Sequence, residues 1–154
     1  MDSLGHELHE IHALVSSRLP FIERIAVAVY DPAMQALTTF ISSDTQPNPS
    51  TLKRIELAQV PLLEAIAVSR QSSVEADIFG ELNSQSPNNL NSAAQTGRTS
   101  YICPVLDGST LAGFLFFDAN QSGLFTPDVI TELSSYARLV SHIFLLQLRL
   151  VNSA

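Results

Sequence analysis

Three histidines stand three residues apart near the N-terminus, in the stretch HELHEIH. Histidine and glutamate are common zinc ligands, and a zinc-protease helix places two histidines four residues apart with a glutamate after the first. That pattern fails here, because Glu10 stands four residues after His6 and Ala13 stands four residues after His9. Steps of three also spread the rings of His6, His9 and His12 around a helix. We predict a solvated polar face and no metal site; an adventitious metal at a dimer seam is the alternative.

Cys103 is the chain's single cysteine and could in principle serve as a nucleophile, a redox thiol or a pigment anchor. A reactive cysteine needs a lowered pKa and usually a basic partner. Cys103 stands beside Pro104 and has no basic neighbour in the sequence. Free cysteines are among the most buried residues of proteins, so we predict a core cysteine. One cysteine also excludes a disulfide within the chain.

Two other common catalytic motifs are absent from the sequence. The sequence contains neither the Gly-x-Ser-x-Gly frame of a hydrolase elbow nor a glycine-rich phosphate loop. Asp77 and Asp118 are the carboxylates best placed at predicted strand ends, and we interpret each as a turn or cap residue rather than an acid–base catalyst. We therefore predict no catalytic residues, no cofactor and no enzyme activity.

Composition argues against several classes of protein. The 154 residues carry a net charge of −7 with 8 lysines and arginines, whereas nucleic-acid binding requires clustered basic side chains. The longest apolar run, Leu139–Leu148, is too short to span a bilayer and contains polar residues. The polar N-terminus does not have the pattern of a secretory leader. We expect one domain, 1–154, in the cytoplasm and without a membrane partner.

Apolar periodicity predicts a helix near each end of the chain, over residues 3–19 and 127–150. Thr126 and Pro127 suit the cap and the first turn of the second helix. That helix is apolar on more than one side, and one of its stripes keeps the seven-residue repeat of a coiled coil. We predict that a stripe on each helix meets a second copy of the chain. The predicted dimer seam contains Leu4, Leu8, Ile11, Val15, Ile130, Leu133, Ala137, Val140 and Phe144.

Two hairpins are predicted between these helices. The strands of the first are separated by an Asp31-Pro32 turn, and those of the second by Asp107-Gly108, a favoured hairpin pair. Pro104 requires a sheet edge, a bulge or a strand end, because it cannot donate to the ladder. Clustered antiparallel strands with helices over their faces predict an α+β fold. The four predicted strands are 24–30, 37–42, 99–106 and 110–118.

The middle of the chain is less regular. Residues 61–69 form the better helix, with Pro61 in its first turn, and residues 73–78 could form a short strand. Residues 80–96 are rich in asparagine, serine and glutamine and nearly uncharged. Long irregular segments inside a domain are usually functional or mobile loops, so we predict a mobile roof here.

Two blocks of the sequence together resemble a GAF domain: LPFIERIAVAVYDPAMQALTTFISS and SYICPVLDGSTLAGFLFFDANQSGLFTPDVITELSSYARLVSHIF. The resemblance implies a central antiparallel sheet of five or six strands with the N- and C-terminal helices together on one face. Short helices and loops would roof a small-molecule pocket on the other face. The stretch LHEIHALVSSRLPFIERIAVAVYDP is more narrowly similar to GAF domains that precede HD-GYP or diguanylate cyclase domains in bacterial signalling proteins. No HD or GYP motif is in this chain.

The resemblance also implies candidate pocket residues. It further allows the chain to be compared with the functional branches of the family. The branch that reduces free methionine sulfoxide uses several cysteines, and the bilin-binding branches use a cysteine near a histidine in the helical region; neither matches. The Asn-Lys-Phe-Asp-Glu set of the cyclic-nucleotide branch is lost around Phe125. By family geometry the pocket would be lined by Phe40, Ser42, Ile66, Ile78, Ser100, Ile102 and Phe116, although these side chains could equally fill a core.

The sequence therefore favours a regulatory module of a bacterial signalling protein that senses an unknown small molecule and forms a homodimer through its terminal helices. An HD-GYP or diguanylate cyclase domain could follow it. The alternative is a ligand-free dimerisation module, in which the predicted pocket is simply core. A third hypothesis, an enzyme acting on a small molecule, has no constellation of acid, base and nucleophile to support it.

Overall fold

A computed structural model of the chain describes residues 2–43, 50–76 and 99–153. Three helices and six strands follow one another in these ranges, with a 3-10 turn at Leu57–Gln59 before the second helix. The helices are α1 (Asp2–Arg18), α2 (Pro61–Ser69) and α3 (Pro127–Ser153). The strands are β1 (Ile22–Asp31), β2 (Ala36–Ser42), β3 (Ser50–Glu56), β4 (Ser73–Ala76), β5 (Thr99–Asp107) and β6 (Thr110–Ala119).

All six strands form one antiparallel sheet in the order β3-β2-β1-β6-β5-β4. Both predicted hairpins are present, and the α+β fold class is confirmed. The β4 ladder ends where Ser73 pairs with Ile102, so β5 is locally the sheet edge at Pro104. A proline is tolerated at such a position because no neighbouring strand needs its missing N–H. Pro104 therefore stands at a sheet edge, one of the three positions predicted for it.

Each face of the sheet has its own core. On the face covered by α1 and α3, here called the helical face, the core contains Ile25 and Val27 of β1 and Leu115 of β6. On the opposite face, here called the α2 face, Ala26 and Ala28 of β1 pack with residues of β2, β5, β6 and α2. From Ile25 to Val29, alternation along β1 sends successive apolar residues into the two cores, which is why this part of the strand is apolar on both sides.

The predicted cap of the last helix is present. Thr126 Oγ1 accepts a hydrogen bond from the backbone N–H of Val129 at 3.3 Å, and Pro127 is the first helical residue. Just before the cap, the Phe125 ring packs edge-on against Phe21, with 6.3 Å between centroids, and tilts towards Tyr101 at 6.1 Å. These contacts fix the direction in which the chain enters α3.

The location of the predicted dimer seam is wrong, because its residues belong to the core of the chain itself. Seven of the nine side chains are buried on the helical face, and Ile130 and Ala137 pack against the same cluster. The stripe on each helix faces the domain's own sheet, since an apolar stripe is buried by the nearest apolar surface. A surface for a partner must use other residues. The seven buried ones are Leu4, Leu8, Ile11, Val15, Leu133, Val140 and Phe144.

A second apolar stripe does face outward on α3. Leu139, Leu146 and Leu150 are 44%, 57% and 70% exposed, and the half-buried Ile143 lies between them. Positions 139, 143, 146 and 150 follow steps of four, three and four, so they align along one side of the helix. On α1, Leu14 is 58% exposed. We call Leu139, Leu146 and Leu150 the outer stripe.

Helix α3 has one further property. Among the residues that the structure describes, Pro127–Val151 is the one helical segment long and apolar enough to cross a membrane when judged by length and composition alone. A core helix of a soluble protein passes the same test, and α3 packs on the sheet through Leu133, Val140 and Phe144.

The structure differs from the sequence prediction in the middle of the chain. The sequence pattern does not predict β3, because the stretch STLKRIE has charged and apolar residues without clear alternation. The predicted helix 61–69 is confirmed as α2, and the strand predicted at 73–78 is described as β4. Ile78, Asp77 and the predicted roof segment 80–96 lie outside the described residues.

Candidate functional site

The α2 face carries a buried row of polar side chains. Arg24 of β1, Asp118 of β6 and Ser100 of β5 are direct cross-strand partners on three neighbouring strands. Arg24 donates a hydrogen bond from Nε to Asp118 Oδ2 at 2.8 Å, and Ser100 donates from its hydroxyl to Asp118 Oδ1. On β4 the half-buried Glu75 lies opposite Ser100, at the edge of the sheet. We call Arg24, Asp118 and Ser100 the polar row.

Local sequence explains why these three residues share a face. Each sits next to an apolar residue that enters the helical-face core: Ile25 after Arg24, Phe117 before Asp118 and Tyr101 after Ser100. Because neighbouring residues in a strand point to opposite faces, the three polar side chains must point to the α2 face. The cross-strand register then places them in a line.

An apolar row runs beside the polar row on the same face. Ala26 pairs with Phe116, which pairs with Ile102, and on the other side Ala26 pairs with Ser42 of β2. Phe116 and Ile102 have no exposed surface. The α2 face therefore packs aromatic and aliphatic side chains next to a charged hydrogen-bonding group, a combination of apolar and polar groups that small-molecule sites also use.

Six of the seven predicted pocket residues come together on this face. Ile66 reaches it from α2, and the other five come from the sheet. The seventh, Ile78, lies outside the described residues. The six that share the face are all buried: Phe40, Ser42, Ile66, Ser100, Ile102 and Phe116.

Burial makes the electrostatics of the polar row costly. The Asp118 side chain is 6% exposed and that of Arg24 is 18% exposed. Removing two charges from water costs several kcal/mol per ion, and their mutual attraction offsets this only when the remaining polar atoms are also satisfied. Ser100 supplies part of that satisfaction by bonding the second carboxylate oxygen. Such a network is more expensive than an apolar core of the same volume, which points to a role beyond stability.

Sequence reasoning missed the most informative residues of this site. The turn or cap role predicted for Asp118 is wrong, because this residue lies inside β6 and is paired with Arg24. No local pattern singles out Arg24. Side-chain alternation along β6 could have identified Asp118. Phe114 and Phe116 are buried on the α2 face, and a residue two positions further along the strand points to that same face.

The prediction for Cys103 is confirmed. The thiol is buried on the helical face, among residues that pack under α1 and α3. Desolvation by burial raises the pKa of this thiol, while hydrogen bonds with Ser72 and Tyr101 act in the opposite direction. A raised pKa keeps the sulfur protonated and unreactive near neutral pH. Cys103 therefore lies on the opposite side of the sheet from the polar row.

The three histidines lie largely on a solvated face, as predicted, since His6 and His9 are exposed and His12 is half-buried, but two of them also contact backbone carbonyl groups. His6 is exposed and pairs with Glu10 at 3.2 Å on the same helix. His9 Nδ1 lies 3.2 Å from the carbonyl oxygen of Ser43, and His12 Nε2 lies 2.7 Å from that of Ile22. Within the described ranges no group of three His, Cys, Asp or Glu residues could hold a metal ion.

A separate cavity of about 310 Å³ lies at the other end of β1. Tyr30, Met34 and Leu57 contribute to its wall, together with Glu56 and Glu64. Tyr30 is six residues from Arg24 along the strand, about 20 Å. The cavity is thus distinct from the polar row.

Comparison with known proteins decides the fold. No family model matches the chain, and no curated protein matches it. Among solved structures, the chain is similar to a GAF domain/HD domain protein from Geobacter sulfurreducens, with 12% identity, a TM-score of 0.62 and coverage of 91% of each chain. It is also similar to the GAF domain of an Acinetobacter phosphoenolpyruvate-protein phosphotransferase, with 13% identity, a TM-score of 0.64 and coverage of 97% and 86%.

The chain has the GAF fold. The same architecture occurs in a type II free methionine-R-sulfoxide reductase from Thermoplasma acidophilum, to which the chain is 14% identical with a TM-score of 0.61 over 90% of this chain and 89% of that one. Proteins with the GAF fold thus include a reductase as well as a GAF domain/HD domain protein and a domain of a phosphotransferase. At such low identity the likeness establishes architecture, and activity must be argued from the site.

Proposed function

We propose that this GAF-fold domain is a regulatory sensor that binds a small, partly polar molecule on the α2 face. The observation that carries the proposal is the buried polar row beside the apolar row. Polar groups of the ligand would bond to the serine hydroxyls and the guanidinium, while its apolar part would contact Phe40, Phe116 and Ile102. Buried charge in an apolar wall is a common way to fix ligand orientation.

The domain acts without catalysis in this proposal. Among the described residues, the α2 face contributes no histidine or cysteine, and Cys103 faces the opposite core with a raised pKa. A reductase that relies on several cysteines cannot be built on one thiol. Binding instead shifts the population between two arrangements of the sheet and the terminal helices, by as much as the ligand's affinity for them differs.

Native mass spectrometry of the purified chain, before and after denaturation, tests the sensor proposal. We expect an added mass on the folded chain that is lost on unfolding. Ser100→Ala should lower its occupancy at least tenfold, a loss of about 1.4 kcal/mol. Ser109→Ala is the matched control, because the same hydroxyl is removed from an exposed turn.

The opposite result favours the ligand-free alternative. If no added mass is found, and a library of metabolites produces no saturable chemical-shift change at Arg24, Ser100 or Asp118, the α2 face is a core and the chain is a dimerisation module. If the added mass has the same occupancy in Ser100→Ala, the ligand binds at another site.

The domain is further proposed to form a homodimer through the outer stripe of α3, together with Leu14 of α1. The stripe keeps the spacing of a coiled-coil seam, and its side chains are exposed in the single chain. Leu139→Glu with Leu146→Glu should give a folded monomer in sedimentation analysis. Arg138→Glu is the control, since it alters net charge equally from an exposed position off the stripe. A double variant that remains dimeric would exclude this surface.

The domain's context is proposed to be a bacterial, cytoplasmic signalling protein of cyclic-di-GMP metabolism, with an HD-GYP or diguanylate cyclase domain as its output. The GAF domain/HD domain protein among its structural neighbours supports this, as does the sequence similarity noted above. Determining the complete reading frame that encodes the chain tests the proposal. A frame without either output domain would contradict it.

A further inference from the structure

Two histidines of α1 bond directly to the backbone of the sheet. His9 approaches the carbonyl oxygen of Ser43 through Nδ1, and His12 approaches that of Ile22 through Nε2. A carbonyl oxygen only accepts hydrogen bonds, so the facing ring nitrogen must carry the proton in each case. The two rings therefore use different nitrogens, and each is held in a defined orientation.

Both carbonyl groups lie beside residues of the candidate site. Ser43 directly follows Ser42, which is buried on the α2 face, and Ile22 precedes Arg24 by two residues. The β1–β6 register shifts between Ile22 and Arg24, so Ile22 enters the helical-face core under α1 while Arg24, two residues further on, points to the α2 face.

Ser43 also joins the two strands to each other. Its N–H donates to the carbonyl oxygen of Ile25 at 2.9 Å, and its hydroxyl oxygen accepts from the N–H of Ile25 at 3.0 Å. The end of β2, the start of β1 and helix α1 therefore form one hydrogen-bonded unit. Any displacement of Arg24 or Ser42 must strain or move these bonds.

We infer that His9 and His12 are positioning residues that couple the polar row to helix α1. A change at Arg24, Asp118 or Ser100 shifts the strand ends, and the two imidazoles carry that shift to the helix. His6, which pairs with Glu10 on the helix surface, takes no part. The inference rests on the proposed function only in that a ligand would supply the change in the cell; the coupling itself belongs to the chain.

The test uses nuclear magnetic resonance of the full isotope-labelled chain and needs no ligand. Ser100→Ala alters the polar row two strands away from β1, about 10 Å across the sheet. We expect the ring nitrogens of His9 and His12 to shift, whereas those of His6 stay unchanged. If this variant does not fold, Ser100→Thr replaces it, because the added methyl group perturbs the same buried position while the hydroxyl is kept.

The reverse experiment separates coupling from ordinary packing. His9→Leu and His12→Leu should shift the amides of Ser100 and Asp118 and speed hydrogen exchange at Ile25 about tenfold, through a locally more frequent opening. His9→Asn and His12→Gln place a donor where Nδ1 and Nε2 stand, so they should restore the native shifts. His6→Leu is the matched control on the same helix.

The outcomes distinguish coupling from sensing. The coupling is overturned if the ring nitrogens of His9 and His12 do not shift in either Ser100 variant. It is also overturned if His9→Asn and His12→Gln do not restore the native amide shifts. Both conclusions hold even if native mass spectrometry reveals a ligand. If the rings respond and native mass spectrometry finds no ligand, the coupling is upheld, and the mass-spectrometry result alone counts against the sensor proposal.

Discussion

Arg24 and Asp118 stand 94 residues apart in the sequence and 2.8 Å apart in the sheet, joined from Nε to Oδ2 across the β1–β6 ladder. The pair is largely withdrawn from water, and Ser100 bonds the carboxylate from the other side. A buried ion pair of this kind is destabilising to break but not necessarily stabilising to have. Its chemistry therefore makes a clear prediction for a double-mutant cycle.

We expect Arg24→Met and Asp118→Leu each to lower the free energy of unfolding by about 3–5 kcal/mol, because each removes one partner of a buried ion pair. The double variant should recover most of the loss. Urea unfolding of all four chains measures the coupling. The exposed pair Arg149–Asp107, at 2.9 Å, is the control and should couple by at most about 1 kcal/mol. Single variants as stable as the native chain would contradict this account.

Local patterns are sufficient to predict most of the fold but not this pair. The hairpins, the capped α3 and helix α2 follow from turn chemistry, proline placement and apolar periodicity. A partner 94 residues away is a property of the ladder register, which local patterns do not contain. The resemblance to GAF domains implies the face on which Ser100 and Ser42 lie, but neither it nor the local patterns identify the charged group beside them.

The error in the dimer seam has a different origin. Leu133, Val140 and Phe144 share one side of α3, and Leu139, Leu146 and Leu150 share another, yet both sets fit helical periodicity. A periodic pattern shows that a side is apolar; it does not show whether that side meets the domain's own sheet or a partner. Only the packing against β5 and β6 decides between them.

Gly113 permits the close approach of β6 to β1 under α3. A Cβ atom there would lie 2.3 Å from the carbonyl oxygen of Ala28 and 3.2 Å from a ring carbon of Phe144. Backbone cannot yield cheaply, so Gly113→Ala should destabilise the domain by about 1–3 kcal/mol, the usual cost of overpacking.

The glycine of the β5–β6 turn provides a matched comparison. Gly108 has a φ of +62° and open space where a Cβ atom would stand, so Gly108→Ala carries only the strain of a left-handed backbone, about 1–2 kcal/mol. Thermal unfolding separates the two mechanisms when Phe144→Leu is added. The smaller side chain should relieve part of the Gly113→Ala loss and none of the Gly108→Ala loss; equal effects would contradict the steric explanation.

The buried thiol predicts a pH dependence of stability. Burial raises the pKa of Cys103, so the unfolded chain releases this proton at a lower pH than the folded chain does. The stabilising contribution is complete below the pKa of the unfolded thiol, about 8.5, and is lost as the pH rises through the folded value. Urea unfolding between about pH 7 and 10, a range that brackets the unfolded value, should show a decline that Cys103→Ala reduces. The decline that remains in Cys103→Ala is expected to come from Tyr101, whose pKa is also raised by burial. A decline unchanged by Cys103→Ala would contradict this attribution.

Truncating a side chain should lower the stability of the fold on the inner side of α3 and weaken association on its outer side. Phe144 is fully buried, so Phe144→Ala should cost about 3–5 kcal/mol in unfolding free energy by creating a cavity. Leu146 is 57% exposed, and Leu146→Ala should change the stability of the monomer by no more than about 0.5 kcal/mol. Measured at rising protein concentration, Leu146→Ala should instead remove any concentration dependence of the melting temperature, because a dimer is stabilised by mass action. If Phe144→Ala is harmless to the fold and abolishes association, the seam predicted from the sequence is right and the assignment of that side to the core must be reversed.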